Sequence, residues 1–537
     1  MKTTFLTIAA LTIGTKAYEC RTDVFSGLIP SNATLNYATY IAENGTFGDE
    51  WAAGNATYLP EGCAVGFKVP TENSSYFHVA LYLPYKWNNR FMTTGNGGYG
   101  GFTNWPVIGQ LSQYGFATVS TDTGHRSGHD GGRWALNNPE GIINWGWRAL
   151  HSTVLIAKDI VHQYYNHPIS YSYYAACSTG GRQGLKEIQE FPDDFDGALV
   201  GAPAWWMNHL SPYNAWLSNN NLPANASYHI TAQQIAALAK EAMVQCDPQD
   251  GIIDNIILDP KACNFNINAL SCSAAGSNAS MCFNDDQLKL AKTVVRDWVH
   301  NDELIFPAYS LGADLTPILN VADKPTPLGS DWILYFLLNA TSYDWSKLNE
   351  SIVDLSDYID PGNAQADQYD ISAFAQKGGK LIHYHGYADG IIPTEASRVY
   401  RDRTSKAMTA AGYNIDDFYR FFYIPGMGHC SGGAYAPWYI GAAYQAKAMK
   451  NIPAGVPGYN DRYHDAVLAL IAWTENGTPP DYLVGTKFED DDGSKPVLRQ
   501  RPICPYPQKA TYVSGDVNLA SSWTCASTNR EAIPPRS

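Results

Sequence analysis

Two short segments of the sequence each place a possible catalytic residue beside a cysteine. Cys177 directly precedes Ser178, and Cys430 directly follows His429. A serine and a histidine whose side chains meet can exchange a proton, which is the first step of nucleophilic catalysis. If they meet, the neighbouring backbones come close enough for the two sulfurs to bond, because a disulfide prefers a Cα separation of roughly 5.5 to 6 Å. A bond between the two cysteines would therefore be a check on the serine–histidine pair.

The serine segment has the layout of a nucleophile elbow, a tight turn between a strand and a helix that lifts a serine above the sheet edge. The pattern predicts a strand over residues 171–176 and a helix from just after Ser178 to about Glu190. The usual motif is Gly-x-Ser-x-Gly, and Ala176 stands in the place of its first glycine. A glycine-rich turn with an incidental serine is the alternative interpretation of this segment alone.

An acid and a base follow two later predicted strands. Asp389 comes after the strand-like run 380–385, and His429 comes after the run 418–424. The chain order serine, aspartate, histidine is that of α/β-hydrolases. Loops after parallel strands reach the carboxyl edge of the sheet, where open α/β sheets bind ligands. Because the chain has 13 histidines, the order alone is weak evidence, and the positions after strands carry the prediction.

A serine nucleophile needs backbone donors for the developing oxyanion. The N–H of Thr179, at the start of the predicted helix, is the first donor that we expect. The second is expected from the glycine-rich loop 95–101, at Gly98 or, as the next choice, at Gly97. A flexible turn is the alternative for this loop.

A thiolate nucleophile at Cys177 is the rival chemistry. A phosphatase-like cysteine needs an arginine six residues on, whereas position 183 is Gln and Arg182 stands one place short. The sequence therefore favours serine chemistry.

The length and the first residues predict a secreted protein. The chain of 537 residues exceeds one ordinary core, which favours a large domain or a domain with an insertion. Lys2, the apolar stretch 5–13 and the small-x-small site 15–17 are typical of a signal peptide over residues 1–17. No other segment approaches 20 uninterrupted apolar residues, so we expect a soluble extracellular protein without a membrane span.

Sequons, cysteines and charge agree with that location. Ten cysteines, all beyond the predicted signal peptide, are consistent with five disulfides in an oxidising compartment. A net charge of -15 disfavours nucleic acid as a partner, because polyanion binding needs a basic face. Nine Asn-x-Ser/Thr sequons, expected on the surface of a glycoprotein, lie at Asn32, Asn44, Asn55, Asn73, Asn225, Asn278, Asn339, Asn349 and Asn476.

Strand and helix patterns alternate in two separated parts of the chain. After a loop-rich start, strand-like runs at 77–83, 116–120, 171–176 and 198–200 argue for a parallel sheet covered on both faces. The alternation fades after residue 203 and resumes with the strand 380–385 and the helix 394–411. We therefore expect an α/β domain formed by residues 18–203 and 377–537, with a lid inserted over residues 204–376.

An acidic turn lies within the predicted lid. Asp247, Asp250 and Asp254 fall within eight residues, with Gly251 between them. Hard cations prefer such oxygen clusters. The spacing is not that of an EF-hand, so the residues alone favour a polar turn over a calcium site.

Three motifs taken together resemble the tannase and feruloyl esterase family of secreted, largely fungal enzymes. They are Cys-Ser-Thr-Gly-Gly from position 177, His-Gly-x-x-Asp from 385 and Gly-x-Gly-His-Cys from 426. The cysteines beside serine and histidine are highly specific to that family, and the resemblance covers nearly the whole mature chain. It implies an α/β-hydrolase fold with a large inserted lid domain. It also implies Ser178 as nucleophile, His429 as base and Asp389 as the acid that orients it.

The same resemblance implies a bound metal and a set of disulfides. A structural calcium ion in the lid would be held by Asp247, Asp250 and Asp254 with the carbonyls of Ile252 and Ile256. No organic cofactor is implied. The implied disulfides are Cys177–Cys430, Cys20–Cys63, Cys246–Cys263, Cys272–Cys282 and Cys504–Cys525.

The residues and the resemblance lead to three functional hypotheses. The first is a secreted serine carboxylesterase that releases phenolic acids, above all hydroxycinnamates such as ferulate, from plant cell-wall polysaccharides such as xylan. The second is a tannase that cleaves gallate esters with the same catalytic residues. The third is a catalytically silent hydrolase fold that binds glycans, and the presence of serine, aspartate and histidine argues against it. The oligomeric state is left open.

Overall fold

The structure is a computed structural model that describes residues 19–274, 278 and 281–527. The predicted signal peptide, residues 1–17, lies outside the described residues. Among the helices that the structure describes, none combines the length and the apolar character needed to cross a membrane.

Seventeen strands occur in the described residues, nine of them in one sheet and eight in four two-stranded sheets. In chain order they are β1 (Thr34–Ile41), β2 (Gly45–Phe47), β3 (Ala56–Leu59), β4 (Gly62–Pro70), β5 (Tyr76–Pro84), β6 (Arg90–Thr93), β7 (Ala117–Thr121), β8 (Tyr171–Cys177), β9 (Gly197–Gly201), β10 (Trp298–His300), β11 (Glu303–Phe306), β12 (Lys380–Gly386), β13 (Tyr419–Ile424), β14 (Leu483–Phe488), β15 (Val497–Ile503), β16 (Gln508–Tyr512) and β17 (Trp523–Ser527).

Fourteen α-helices accompany these strands in the described part of the chain. They are α1 (Thr22–Ser26), α2 (Trp105–Ser112), α3 (Pro139–Ile143), α4 (Ala149–Tyr165), α5 (Thr179–Glu190), α6 (Met207–Asn219), α7 (Ala232–Cys246), α8 (Asp285–Val294), α9 (Thr316–Leu319), α10 (Pro327–Asp331), α11 (Ser351–Ile359), α12 (Ser372–Gln376), α13 (Glu395–Ala410) and α14 (Ala466–Asn476).

The large sheet is mixed, with the strand order β1-β4-β5-β7-β6-β8-β9-β12-β13. The strands from β7 to β13 in this order pair in parallel, whereas β1, β4, β5 and β7 pair antiparallel. The α/β class is confirmed. The prediction of a parallel sheet is right for six strands and wrong for the edge that β1, β4 and β5 form.

The N-terminal segment is not the loop-rich start that the sequence suggested, because it contributes β1 and β4 to the large sheet. Strand β4 contains Gly62, Gly66 and Pro70, which interrupt the pattern expected of a strand. Gly66 stands opposite Tyr37 of β1, and a Cβ at Gly66 would overlap the Tyr37 ring. Gly66 therefore interrupts the strand pattern of β4 and also leaves the space that the Tyr37 ring of β1 occupies.

The central strands follow the apolar runs of the sequence. Strands β8, β9 and β12 are buried over almost their whole length, as expected for parallel strands covered on both faces. The observed bounds of β8, β12, β13 and α5 lie within one residue of those predicted. Three loops that the site needs, those after β8, β12 and β13, thus begin at the same edge of one sheet.

The chain leaves the large sheet after β9 and returns at β12, which pairs directly with β9. Between them, the described residues form helices α6 to α12 and the hairpin β10–β11, and they add no strand to the large sheet. An insertion between neighbouring strands is consistent with the expected two-part core. The description of residues 204–376 as a lid stays a prediction.

The sequon asparagines share one property in the structure. All nine are exposed, as expected for glycan acceptors on a surface. Their surface position is confirmed, and their modification stays a prediction.

Candidate active site

Ser178 occupies the turn between β8 and α5 in a conformation that is uncommon for a serine. Its φ is +66° and its ψ is -129°, outside the regions that non-glycine residues normally adopt. The Ser178 N–H donates to Gly201 O at 2.9 Å, and the Ser178 carbonyl accepts from Ala204 N at 3.1 Å. These bonds to the last residue of β9 and to the segment after it hold the strained turn in place.

The departure from the usual elbow motif at Ala176 has a structural explanation. A Cβ at Gly180 would lie 2.7 Å from the Ala176 Cβ and 2.9 Å from the Asn96 carbonyl oxygen. Gly180 therefore leaves the space that the methyl group of Ala176 occupies. One glycine on the helix side of the turn is sufficient for the close packing, so the alanine is compatible with an elbow.

Ser178, His429 and Asp389 lie in one hydrogen-bonded line. His429 Nε2 is 2.8 Å from Ser178 Oγ, and His429 Nδ1 is 2.7 Å from Asp389 Oδ2. A carboxylate can only accept, so Nδ1 carries the proton and Nε2 is left to accept the hydroxyl proton of the serine. The line can remove a proton from Ser178 and place it on an imidazole whose charge faces a carboxylate.

Asp389 is fully buried, yet both of its oxygens are well supplied with donors. Oδ1 accepts from the backbone N–H groups of Ile391 at 2.8 Å and Ile392 at 2.9 Å. Oδ2 accepts from His429 and, at 3.0 Å, from His385 Nε2. Burial acts to raise the pKa of Asp389, but the charge of His429 and the hydrogen bonds from both histidines outweigh it and hold that pKa below its usual range. The carboxyl group is therefore ionised.

The loop that carries His429 packs closely on the end of β12. A Cβ at Gly386 would overlap the Met427 carbonyl oxygen and lie 2.7 Å from that of Gly428. Ala388 N donates to Met427 O at 2.8 Å, so the loop of the acid and the loop of the base are also joined by their backbones. The glycine of the His-Gly-x-x-Asp motif allows the two loops to approach each other.

The structure pairs Cys177 with Cys430. Their Cα atoms are 5.9 Å apart, and the two residues are separated by 253 positions in the chain. In the chain-entropy account, closing so long a loop stabilises the fold by roughly 5 kcal/mol. The bond joins the residue before Ser178 to the residue after His429, which restrains the distance between the two side chains.

The four other disulfides of the structure have the partners that the resemblance implied. All ten cysteines are bonded. The remaining pairs are Cys20–Cys63, Cys246–Cys263, Cys272–Cys282 and Cys504–Cys525.

The glycine-rich loop 95–101 lies against the start of α5. Thr179 Oγ1 donates to Gly98 O at 2.9 Å, and Asn96 N donates to Gln183 Oε1 at 3.0 Å. Gly98 has φ +57°, and a Cβ there would overlap the His129 carbonyl oxygen. The structure thus brings Thr179 and Gly98 together beside Ser178, and their role as oxyanion donors stays a prediction.

The acidic turn offers the donor chemistry that calcium prefers. Asp254 Oδ1 is buried and has no hydrogen-bond partner within the described residues, although Arg501 Nη2 lies 2.5 Å from Oδ2. Asp247 accepts three backbone N–H bonds from residues 254–256. The carboxylates of Asp247, Asp250 and Asp254 do not all lie within 4.8 Å of one another. Among the described residues, a group of three that meets this distance is His151, Glu187 and Asp194. The set fits calcium in its oxygen chemistry, and Ile252 and Ile256 would add carbonyls.

His385 and Ser397 are functional candidates to which the sequence analysis gave no role. His385 is the first residue of the His-Gly-x-x-Asp motif, and Ser397 lies on α13, 12 positions further on. The available signal is the pair His383 and His385 on a strand whose other residues, after Lys380, are aliphatic, aromatic or glycine. Buried histidines at alternate strand positions face the same side and require hydrogen-bond partners there.

The family model described as "Tannase and feruloyl esterase" matches residues 64–326 and 334–526. The chain belongs to this family. Its members' names indicate a carboxylic ester hydrolase, which agrees with a serine activated by histidine at a sheet edge.

Two curated relatives cover most of the chain. A probable feruloyl esterase B-1 of Aspergillus oryzae is 34% identical over 467 residues, which are 86% of this chain and 83% of the relative. Feruloyl esterase C of Talaromyces stipitatus is 31% identical over 502 residues, 92% of each chain. The family assignment therefore rests on nearly full-length similarity.

Solved structures show the same fold. The crystal structure of feruloyl esterase B from Aspergillus oryzae superposes with a TM-score of 0.86 at 31% identity, covering 94% of this chain and 99% of that one. Tannin acyl hydrolase from Aspergillus niger gives a TM-score of 0.74 at 22% identity, with 95% of both chains covered. The second likeness concerns the fold alone.

Replacing Gly386 by alanine tests the close approach of the two catalytic loops. The added Cβ overlaps the Met427 carbonyl, so Gly386→Ala is expected to displace His429 and to lower kcat/KM on a phenolic ester by about 10-fold or more. Gly27→Ala, where the Cβ meets only an ordinary 3.5 Å contact, is the control. Equal kcat/KM for the two variants would contradict the proposed packing role.

Removal of the central disulfide tests its positioning role. The double variant Cys177→Ala/Cys430→Ala is expected to lose about 10-fold or more in kcat/KM, because the histidine loop is freed from the nucleophile turn. The matched control is Cys504→Ala/Cys525→Ala, expected to lower the melting temperature with little change in kcat/KM. Full activity of the first variant would show that the bond is dispensable for positioning.

Proposed function

We propose that this protein is a secreted serine carboxylesterase that hydrolyses esters of phenolic acids. The observation that carries the proposal is the unbroken line from Ser178 Oγ through the His429 imidazole to the buried carboxylate of Asp389. Family membership supports an ester as the substrate. In this proposal the serine is the nucleophile and the histidine is the general base. The aspartate orients the imidazole and stabilises its protonated form.

The first half-reaction forms an acyl-enzyme. His429 Nε2 takes the hydroxyl proton while Ser178 Oγ forms a bond to the ester carbonyl carbon. The carbonyl oxygen becomes an oxyanion, which the N–H groups of Thr179 and Gly98 would stabilise. Collapse of the tetrahedral intermediate breaks the bond to the alkoxy oxygen, and His429 returns the proton to the departing alcohol.

The second half-reaction uses water in place of the alcohol. His429 accepts a proton from water as its oxygen attacks the acyl carbon, and Ser178 Oγ leaves with the proton that the imidazole returns. The products are the free phenolic acid and the restored hydroxyl. In both halves Asp389 stabilises the imidazolium, and its ionised state at neutral pH matches that role.

The acyl group that we propose is a hydroxycinnamate such as ferulate, esterified to sugars of plant cell-wall polysaccharides such as xylan. Support comes from the relatives named feruloyl esterase B and C, which match over most of the chain. Support for secretion comes from the signal-peptide pattern at residues 1–17, five disulfides and nine exposed sequon asparagines. The net charge of -15 is consistent with a soluble enzyme that does not bind nucleic acid.

Calcium belongs to the proposal as a structural ion. Asp247, Asp250 and Asp254, with the carbonyls of Ile252 and Ile256, would hold it. The supporting observation is that the buried Asp254 Oδ1 has no hydrogen-bond partner among the residues that the structure describes. When bound, the ion would neutralise the charge of the acidic turn and has no part in the ester chemistry.

The choice of acyl group is tested with two small esters. Purified protein is expected to hydrolyse methyl ferulate with a higher kcat/KM than methyl gallate. A site built to bond the additional gallate hydroxyls would reject the ferulate ester strongly, since buried partners would be left unpaired. A preference for methyl gallate would make the protein a tannase.

Ser178→Ala is expected to lower kcat on methyl ferulate by about 10⁴-fold or more, because the nucleophile is lost while binding remains. The folded state of the variant is checked by its melting temperature. Unchanged hydrolysis by this variant would assign the activity to another site or favour the silent glycan-binding hypothesis for this one.

Chelation tests the calcium site without using activity. Addition of EGTA is expected to lower the melting temperature by at least about 2 °C, because a ligand of the native state stabilises it by mass action. In Asp250→Asn the effect of EGTA should shrink, whereas Asp354→Asn, an exposed aspartate of α11, should respond like the parent. No EGTA effect in any of the three proteins would remove calcium from the proposal.

A further inference from the structure

The hydrogen bonds of the acid do not end at Asp389. His385 Nε2 is 3.0 Å from Asp389 Oδ2, and His385 Nδ1 is 2.7 Å from Ser397 Oγ. Ser397 Oγ is also 2.8 Å from His383 Nε2, and His383 Nδ1 is 2.7 Å from the hydroxyl of Tyr419. A continuous line of polar groups thus runs from β13 through β12 and α13 to the carboxylate.

The line is closed off from solvent. His383, His385, Ser397 and Tyr419 are all fully buried. Burial lowers the pKa of His383 well below its usual value, and the positive charge of Arg401 acts in the same direction, so this histidine is neutral. Water does not compete for these bonds, and each buried polar atom depends on its partner in the line.

The proton positions along the line follow from the two ends. The Asp389 carboxylate only accepts, so a neutral His385 must carry its proton on Nε2 and accept at Nδ1. Ser397 then donates its single proton to His385 and must accept from His383 Nε2–H. His383 Nδ1 in turn accepts from the hydroxyl of Tyr419. In this arrangement all four hydrogen bonds point toward the carboxylate.

The fold explains why these groups meet. His383 and His385 are two positions apart on β12, so they face the same side of the sheet. Helix α13 crosses that side and brings Ser397 between the two rings. Tyr419 stands on the neighbouring strand, where the guanidinium of Arg401 lies 5.4 Å from its ring centre. Two fully buried histidines on β12 would be destabilising without these partners.

We propose that His385 is a positioning residue for ester hydrolysis, held in its Nε2–H form by Ser397, His383 and Tyr419 so that it donates a second hydrogen bond to Asp389 Oδ2. The inference rests on the proposed function of the Ser178–His429–Asp389 group. The acid thereby receives two histidine N–H groups on one oxygen and two backbone N–H groups on the other. Its orientation is fixed from both sides.

The hydrogen bond from His385 also affects how strongly Asp389 stabilises the protonated form of His429. A hydrogen bond from His385 withdraws negative charge from Oδ2 and makes the carboxylate a weaker partner for an imidazolium at His429. Without that donor, the protonated form of His429 would be more stable. Because protonated His429 cannot act as a base, the acidic limb of the activity profile would then move to higher pH.

Two variants and a matched control test this role. His385→Phe removes the donor and is expected to lower kcat/KM on methyl ferulate by about 10-fold to 100-fold, with the acidic limb of its pH profile moved to higher pH. Ser397→Ala, which removes a single hydroxyl, is expected to shift the limb in the same direction with a smaller loss of activity. Thr404→Val removes another buried hydroxyl from α13 and is expected to change neither kcat/KM nor the acidic limb of the pH profile.

A spectroscopic measurement makes the test independent of catalysis. In protein labelled with ¹⁵N-histidine, the signals absent from His385→Phe identify His385 and are expected to show a proton on Nε2 and a bare Nδ1. In Ser397→Ala this preference is expected to weaken. A proton on Nδ1 in the parent protein, or an unshifted pH profile in both folded variants, overturns the proposal. If Ser178→Ala remains active, the proposed function is wrong. The tautomer measurement on His385 does not depend on activity and is interpreted separately.

Discussion

A buried carboxylate that must stay ionised is the constraint on which the site depends. Removing the charge of Asp389 from water is unfavourable by several kcal/mol unless hydrogen bonds and an opposite charge replace the lost hydration. The structure supplies four N–H donors, two from the backbone after Asp389 and two from histidines. The turn after β12 and the polar face of that strand both serve this one requirement.

The other catalytic groups are held to the acid by backbone packing and one covalent bond. Ser178 is set by its strained turn, and His429 by a loop that lies directly on Gly386. The Cys177–Cys430 bond joins the two segments covalently. Because each restraint acts on backbone next to a functional side chain, the geometry depends little on the flexibility of the side chains themselves.

Sequence patterns located the site better than they located the sheet. Strands β8, β12 and β13 are rich in aromatic and aliphatic residues, and each has a glycine at its end or within the next three residues, so the loops bearing Ser178, Asp389 and His429 could be predicted. Strand β4 could not, since Gly66 and a terminal proline interrupt its pattern. The contact between Ser397 and His385 was also beyond pattern analysis, because it depends on how a helix crosses a strand, and no local signal encodes that crossing.

The insertion between β9 and β12 has a consequence for biosynthesis. The ribosome releases Cys177 long before Cys430, and four other cysteines, at positions 246, 263, 272 and 282, emerge in the interval. Those four bond to near neighbours, across 17 and 10 residues, whereas the native bond of Cys177 cannot form until Cys430, about four fifths of the way along the polypeptide, has emerged. A nascent chain therefore exposes the serine turn without its base, and hydrolytic competence arises only after the C-terminal segment has docked.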